Sequence, residues 1–410
     1  IGKSRIFNLL ESEDVINTIK TVKKIGVKVI KKKNFYEVYG VGINGFKIKK
    51  NTILNAGNSG TLARCVLGLC SATENKIKLV GDRSLSKRDF NRVIKPLEEF
   101  GVKINSKNGI LPLEMIGSKF LRPIKYVEGK GSAQIKTCII FSALNTPGET
   151  HIKAKKSRNH TELFFKFLKI PIKIKKEKKY DLIQVTGLQQ YNSFDYIIPG
   201  DISSSAFFIV LTLLSKNSEL ILKKININDS RIGIIKILNK MNANIILKNK
   251  KIYKGEKTAD IYVRSSKKLK SIYCPAKLNS FAIDEFLIIF LVAAKAKGIS
   301  YFRNLGELNQ KESPRLKWAE KILTHLGVKT ITSNDSIKIY GNPNLNLNVD
   351  KKIIIKNYLK DHRVFMTSLI AALSFGGKWT IHDKDSINTS FPNFLKIIED
   401  LKKWLKEKIF

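Results

Sequence analysis

The chain has 410 residues and 43% hydrophobic content, enough for two cores of ordinary size and too long for one. Its 75 Lys and Arg against 34 Asp and Glu give a formal charge of +41, a field that draws polyanions. Because the lysines are spread over the whole length among abundant Ile and Asn, compositional drift with anionic small substrates is favoured over a nucleic-acid partner. No apolar run approaches a membrane span and the N-terminus has no signal-peptide core, so a soluble cytoplasmic protein without a membrane partner is expected. Four cysteines, Cys65, Cys70, Cys138 and Cys274, lack metal-ligand spacing. The first three fall in apolar helical patterns, so neither a metal site nor a structural disulfide is implied.

Along the chain one pattern recurs: a helix closing on an apolar residue, a turn residue, then a short β run. It reads KKIGVKVI at Gly26, EEFGVKI at Gly101, LKIPIKI at Pro171, NKMNANIIL at Asn242 and THLGVKTI at Gly327, at intervals of about 70 to 85 residues. A sixth copy would end near Trp404. A second kind of helix precedes the marked one and starts from a small or polar turn. Its starts are GNSGTLARCVLGL from Gly57, GSAQIKTCIIFSAL from Gly131, GDISSSAFFIVLTLL from Gly200, NSFAIDEFLIIFLVAA from Asn279 and KDHRVFMTSLIAAL from Lys360. Helices apolar on every side must be buried on every side. The pattern therefore predicts an inside-out α/β arrangement, with sheets and amphipathic helices such as Lys87 to Phe100 outside. Three copies before about residue 198 and three after predict two similar domains, 1–198 and 199–410, joined by a short hinge at Ile197 to Gly200. Helix N-termini carry unpaired N–H groups and partial positive charge. Their expected convergence makes an anion site in the cleft between the domains.

Gly57 to Arg64, GNSGTLAR, offers glycines and hydroxyls to an anion, as Asn58, Gly60 and Thr61, but lacks the spacing of a Walker loop. Arg88 sits just inside the start of an amphipathic helix. Ser132, Gln134 and Lys136 lie at a buried helix end, where polar groups must be paired. Arg158 and His160 fall in the turn KKSRNHTE. Asp284 lies within the apolar helix AIDEFLIIFLVAA and must pair or face the cleft, where it could transfer protons. Glu285 points elsewhere and is the lesser candidate. In NLGELNQKESPRL, Lys311, Glu312 and Arg315 gather at a helix start, with Ser313 as cap and Pro314 in the first helical position. Asp361, His362 and Arg363 precede the last apolar helix, His362 as a structural hydrogen-bonder. Taken singly, each has an ordinary reading as a cap, a local ion pair or a solvated side chain. Neither a dinucleotide fingerprint nor a metal-ligand cluster is present.

As a set these motifs carry more weight. GNSGT with Arg64, GDRSLSKR, GSAQIK, SRNHTE, PGDISSSAF, IDEF, KESPRL, DHRVFM and TSFPNF resemble, in order and spacing, the 5-enolpyruvylshikimate-3-phosphate synthase family over essentially the whole chain. The SAQ-K and TSFP forms are similar to its class II branch. The resemblance implies the enolpyruvyl transferase fold, two domains each of three βαβαββ units. It also implies transfer of the enolpyruvyl group of phosphoenolpyruvate to the 5-hydroxyl of shikimate 3-phosphate by a monomer, without metal or organic cofactor. By matching positions, Gly60, Arg88, Gln134, Arg315 and Arg363 would hold phosphoenolpyruvate, with Asn58 and Thr61 in the same substrate-binding motif. Ser132, Ala133, Gln134 and Arg158 would contact shikimate 3-phosphate, and Lys311 its reacting end. Asp284 matches the base for the hydroxyl proton, and Glu312 a carboxyl group serving proton exchange at the methylene carbon.

Three departures accompany the resemblance. The family's early motif PGDKSISHR is missing, while SRIFNLLESED at residues 4–14 matches the family segment just C-terminal to that motif. We expect a fragment; a 410-residue protein without that lysine would be nearly inactive. Pro314 stands where the family usually has Asp, and Thr389 where its other branch carries Lys. Gly60 is the small residue that leaves room for glyphosate, so inhibition by glyphosate is expected. Two rivals are a UDP-N-acetylglucosamine enolpyruvyl transferase, whose reactive loop cysteine none of the four cysteines matches, and an inactive basic nucleic-acid-binding protein on the same scaffold.

Overall fold

The computed structural model describes residues 1–43 and 45–407, with 402–407 as helix backbone alone, so the Trp404 side chain of the sixth copy lies outside the described residues. The chain forms two compact units, Ile1–Ile198 with Lys254–Glu256, and Pro199–Tyr253 with Lys257 onward. Among the described residues no helix is long and apolar enough to cross a membrane.

In chain order the helices are α1 Glu13–Lys24, α2 Gly60–Leu69, α3 Asn91–Phe100, α4 Ala133–Leu144, α5 His160–Phe167 and α6 Ile202–Leu214. They continue as α7 Gly233–Lys240, α8 Asn279–Ala282, α9 Phe286–Lys295, α10 Arg315–His325, α11 His362–Phe375 and α12 Phe394–Glu407. The two sequence classes separate in burial. In α9 every residue from Phe286 to Ala294 is buried, whereas α3 buries Val93, Ile94, Leu97 and Phe100 on one face and exposes its charges on the other. In the first unit α2 packs on α4, and Gly68 permits the approach, since a Cβ there would lie 2.2 Å from the Cys138 carbonyl oxygen. In the second, α6 packs against α9 and α11.

The recurring turn residue has a conformational reason. Gly26, Gly101, Asn242 and Gly327 close α1, α3, α7 and α10 with φ of +98°, +104°, +64° and +74°, a left-handed turn that glycine adopts without strain and asparagine tolerates. In the copy marked by Pro171 the left-handed residue is Lys169, φ +56°, and proline comes next but one, where the helix can no longer continue.

Two consecutive βαβαββ copies build matching sheets. Thr52–Asn55 pairs parallel with Ile77–Val80, which pairs antiparallel with Leu113–Ile116 and on to Lys103–Ser106. Lys125–Glu128, Glu149–Lys155, Tyr180–Thr186 and Ile172–Lys176 repeat that order. The remaining sheet of the first unit has the same order but a different origin. Gly2–Phe7 pairs antiparallel with Phe35–Gly40, which is flanked by Lys28–Lys31, and its parallel partner is Asp195–Ile197. Thus the fourth copy is divided, its first strand completing a sheet of the first unit while α6 follows it in the second unit, where Glu219–Asn226, Glu256–Arg264 and Asn244–Tyr253 form a three-stranded sheet in that order, apart from the Lys254–Glu256 tip.

Candidate functional site

Each unit gathers helix N-termini around its own polar cluster. In the first, Ser59 caps α2 by accepting the Leu62 N–H at 3.3 Å, and Ser132 caps α4 by accepting the Ile135 N–H at 3.4 Å. Gln134 joins these ends: its Oε1 accepts from Arg64 Nη1 at 2.7 Å and its Nε2 donates to Thr61 Oγ1 at 2.8 Å. Ala133 occupies the first position of α4 beside it. Asn58 donates to Asp82 at 2.6 Å and accepts from Arg88 Nη2 at 3.4 Å. A Cβ on Gly60 would lie 2.9 Å from Arg64 Nη1 and 3.1 Å from Arg88 Nη1, so two guanidinium groups converge over one bare Cα. Burial, together with Arg88 and Arg92, pushes the Arg64 guanidinium down to about 10. An anion at this end of the unit would relieve that repulsion.

Arg88 departs from its expected place. It comes directly after a short turn at Leu85–Lys87, in extended conformation and ahead of α3, instead of lying inside the helix. His160 opens α5 and, with its Nδ1 2.5 Å from Glu256 Oε1, is not a turn residue. Arg158 remains in the turn, and its carbonyl oxygen accepts from Lys136 Nζ at 2.8 Å. Lys136 also pairs with Glu162 at 2.6 Å, the two side chains being 1% and 3% exposed. Removing one partner of such a pair strands the other charge. Lys136→Met is expected to cost about 3 kcal/mol, most of it recovered by adding Glu162→Leu. All three tryptophans, Trp318, Trp379 and Trp404, lie beyond residue 198. Chemical denaturation should therefore be followed by far-UV circular dichroism, which reports on the first unit directly.

In the second unit the network turns on Asp361, the cap of α11, which is fully buried. It accepts from Ser313 Oγ at 2.8 Å, from Arg315 Nε at 2.8 Å and Nη2 at 3.2 Å, and from the Arg363 N–H at 3.0 Å. Ser313 is thereby drawn away from the capping role expected of it; Pro314 stands at the cap and Arg315 opens α10. A buried carboxylate with several acceptor sites competes better for the hydroxyl than one backbone N–H. Arg315, 2% exposed, also bonds Glu312 Oε2 and lies 3.6 Å from Asp284 Oδ1. Burial alone would lower its pKa, but the three carboxylates raise it above the ordinary arginine value. Lys311 Nζ is 3.1 Å from the same Asp284 oxygen. One guanidinium and one ammonium therefore bracket Asp284, and the guanidinium is shared with Glu312.

The expectation that Asp284 lies within a continuous helix fails. The helical run breaks at Ile283–Glu285 between α8 and α9, and Asp284 is in that turn. Its main chain is used as well, the carbonyl accepting from Arg363 Nη1 at 2.7 Å. Glu285, the lesser candidate from sequence, is 1% exposed and accepts from Ser203 Oγ. Asp201 caps α6 and pairs with Arg231 at 3.2 Å. Its side chain is half-exposed, yet the protein around it takes enough water away to push the carboxyl up; Arg231, the N–H groups of Ser204 and Ser203, and Arg363 outweigh this and hold it below its usual range. The cap signals before α6 could have identified Asp201; Ser203 and Glu285 lie inside PGDISSSAF and IDEF, where no local pattern gives either a role.

His362 Nδ1 lies 3.3 Å from Thr389 Oγ1. Although part of the residue meets solvent, the ring is surrounded by protein, and burial with Arg363 and Arg315 outweighs Asp361 and Glu312, lowering its pKa to about 4. A histidine kept neutral in the fold and free to protonate near 6.5 when unfolded removes stability as pH falls from about 6.5 toward 4. The tryptophan-fluorescence unfolding midpoint is expected to drop over that interval, and His362→Gln to flatten the drop. Burial also pushes Cys65 and Cys70 up to about 12 and Cys274 to about 11, and raises Cys138 further. None of these thiols is a ready nucleophile at neutral pH.

A family model described as EPSP synthase (3-phosphoshikimate 1-carboxyvinyltransferase) matches residues 1–398. A 3-phosphoshikimate 1-carboxyvinyltransferase of Ruthia magnifica subsp. Calyptogena magnifica is 39% identical over 401 residues, 98% of this chain and 90% of the relative. The protein of that name from Streptococcus mutans serotype c is 35% identical over 402 residues, 97% of this chain and 91% of its own length. Among solved structures, an EPSP synthase from Acinetobacter baumannii matches with a TM-score of 0.83 at 32% identity, covering 97% of this chain and 90% of that one. The enolpyruvyl transferase NikO from Streptomyces tendae matches with a TM-score of 0.72 over 98% of this chain and 89% of its own, at 14% identity, and shows the fold alone.

Proposed function

This chain belongs to the EPSP synthase (3-phosphoshikimate 1-carboxyvinyltransferase) family, and from that premise we propose that it transfers the enolpyruvyl group of phosphoenolpyruvate to the 5-hydroxyl of shikimate 3-phosphate, releasing phosphate. The observation that carries this reading is the pair of carboxylates, Asp284 and Glu312, held by the single guanidinium of Arg315 with Lys311 alongside. Addition and elimination need both a base and an acid. Protonating the methylene carbon makes its neighbour electrophilic; the hydroxyl attacks, losing its proton, and the tetrahedral adduct then expels phosphate. Asp284 takes the hydroxyl proton, Glu312 serves the methylene carbon, and Lys311 sits at the reacting end of shikimate 3-phosphate. Arg363 and Arg315 supply fixed positive charge for phosphoenolpyruvate, and Arg315 at the same time holds both carboxylates in place. In the first unit Asn58, Gly60, Thr61 and Arg88 form an anion-recognising end. Ser132, Ala133, Gln134 and Arg158 recognise shikimate 3-phosphate.

The raised thiol pKa values speak against the cysteine-dependent enolpyruvyl transferase. We take the protein to be a cytoplasmic monomer; a nucleic-acid partner is disfavoured because its lysines are dispersed over the whole chain. Release of inorganic phosphate that requires both phosphoenolpyruvate and shikimate 3-phosphate tests the activity. Retention on nucleic acid at physiological salt, with no phosphate released and neither substrate bound, would refute it.

A further inference from the structure

The segment Ile283–Glu285 does more than present Asp284. Its three polar groups diverge: the Asp284 carboxylate toward Lys311 and Arg315, the Asp284 carbonyl toward Arg363, and the Glu285 carboxylate toward Ser203. Arg363 is gripped from two of these directions. Its Nη1 donates to the Asp284 carbonyl at 2.7 Å, and its Nη2 donates to Ser203 Oγ at 2.7 Å. Guanidinium only donates, so Ser203 accepts from Arg363 and directs its own proton to Glu285. The result is a one-way chain, Arg363 to Ser203 to Glu285, ending on a carboxylate 1% exposed.

We infer that Glu285, acting through Ser203, is a positioning residue that sets the orientation of the Arg363 guanidinium and thereby the affinity for phosphoenolpyruvate. The inference rests on the functional reading above, in which Arg363 is a phosphoenolpyruvate ligand. Two effects of Glu285 oppose each other. As a carboxylate it could compete with the substrate's anionic groups for Arg363; as the end of the chain it fixes where the guanidinium points. The distances favour the second, because Glu285 Oε1 is 3.9 Å from Arg363 Nη1 while Ser203 bridges at hydrogen-bond length. Glu285 stays within ion-pair range of the guanidinium, but the direction is held by the two hydrogen bonds, to the Asp284 carbonyl and to Ser203. Buried polar chains of this kind are cooperative, and breaking one link releases the group at its end.

Equilibrium binding of each substrate together with steady-state phosphate release separates the possibilities, with Kd and KM for each substrate, kcat and the tryptophan-fluorescence unfolding midpoint measured for wild type, Glu285→Ala, Glu285→Gln and Ser203→Ala, Kd standing in for KM where turnover is too slow to follow. Glu285→Ala is expected to raise KM for phosphoenolpyruvate about tenfold or more, with kcat and KM for shikimate 3-phosphate within about threefold of wild type. Ser203→Ala should act in the same direction. Glu285→Gln keeps an acceptor for the Ser203 proton and should recover much of the lost affinity. Should Glu285→Ala fail to fold, Ser203→Ala and Glu285→Gln decide alone. The inference is overturned if these variants leave Kd or KM for phosphoenolpyruvate unchanged, or if Glu285→Gln tightens phosphoenolpyruvate binding, which would make charge competition dominant. It is also overturned if both KM values and the unfolding midpoint shift together, since that marks a general structural role. A wild type that releases no phosphate and binds neither substrate defeats the functional reading itself, and the assignment of Glu285 with it.

Discussion

Asp284→Asn is expected to lower kcat by about a thousandfold while leaving the second unit folded and both substrates bound, a size typical of losing a positioned general base. The geometry makes this a clean substitution. Asparagine keeps the volume of the side chain and an oxygen for Lys311, 3.1 Å away, but it cannot take a proton from a hydroxyl. The main-chain contact to Arg363 is made by the carbonyl of the same residue and survives any side-chain change. Loss of the carboxylate is also structurally tolerable, because Lys311 is about a quarter exposed and Arg315 retains Asp361 and Glu312. The measurement is single-turnover phosphate release at saturating substrates, alongside equilibrium binding of each. A fall of less than about tenfold would remove Asp284 from the role of base; unchanged kcat with raised KM would make it a binding group only.

The second large effect concerns stability. Arg315→Ala is expected to destabilise the second unit by about 5 kcal/mol, the upper end of what breaking a buried ion pair costs. The upper end applies because the guanidinium serves several acids at once: Asp361 by two hydrogen bonds, Glu312 by one, and Asp284 at 3.6 Å. Asp361 is fully buried and would lose its principal counter-charge. Arg315→Lys keeps the charge but not the planar fork, and should lie between the two. Trp318 is one turn along α10 from Arg315, so tryptophan fluorescence in a denaturant titration reports this loss directly. A midpoint for Arg315→Ala that moves by no more than that of an exposed substitution such as Lys338→Ala would show that the network is not held by this residue.

Much of the candidate site was legible in the sequence as residue identity, and less of it as geometry. Asn58, Gly60, Thr61, Arg88 and Gln134 are gathered at the α2 and α4 ends of the first unit, while Asp284, Lys311, Glu312, Arg315 and Arg363 share one network in the second. Arg64, Ser203 and Glu285 lie in the motifs GNSGTLAR, PGDISSSAF and IDEF, but no local pattern gives any of them a role. The value of Arg64 comes from convergence with Arg88 over Gly60. Glu285 reads as an acid pointing away from Asp284, and it does; the direction it points happens to be occupied by Ser203, 82 residues earlier.

By itself the sequence determined the apolar helices, their burial, the left-handed turns that close their partners and the repeated unit. The helices and turns depend on chirality, periodicity or solvation acting over fewer than about 15 neighbouring residues, and the repeated unit is the recurrence of those local patterns. Tertiary structure alone decided that Asp195–Ile197 completes the sheet begun at Gly2–Phe7, that the run before α9 breaks at Asp284, and that Ser313 turns from its helix to Asp361. In each case a local preference was met by a partner distant in sequence. A strand edge, a buried carboxylate or a guanidinium acts only when packing brings it within hydrogen-bond reach, and no periodicity in the chain records that meeting.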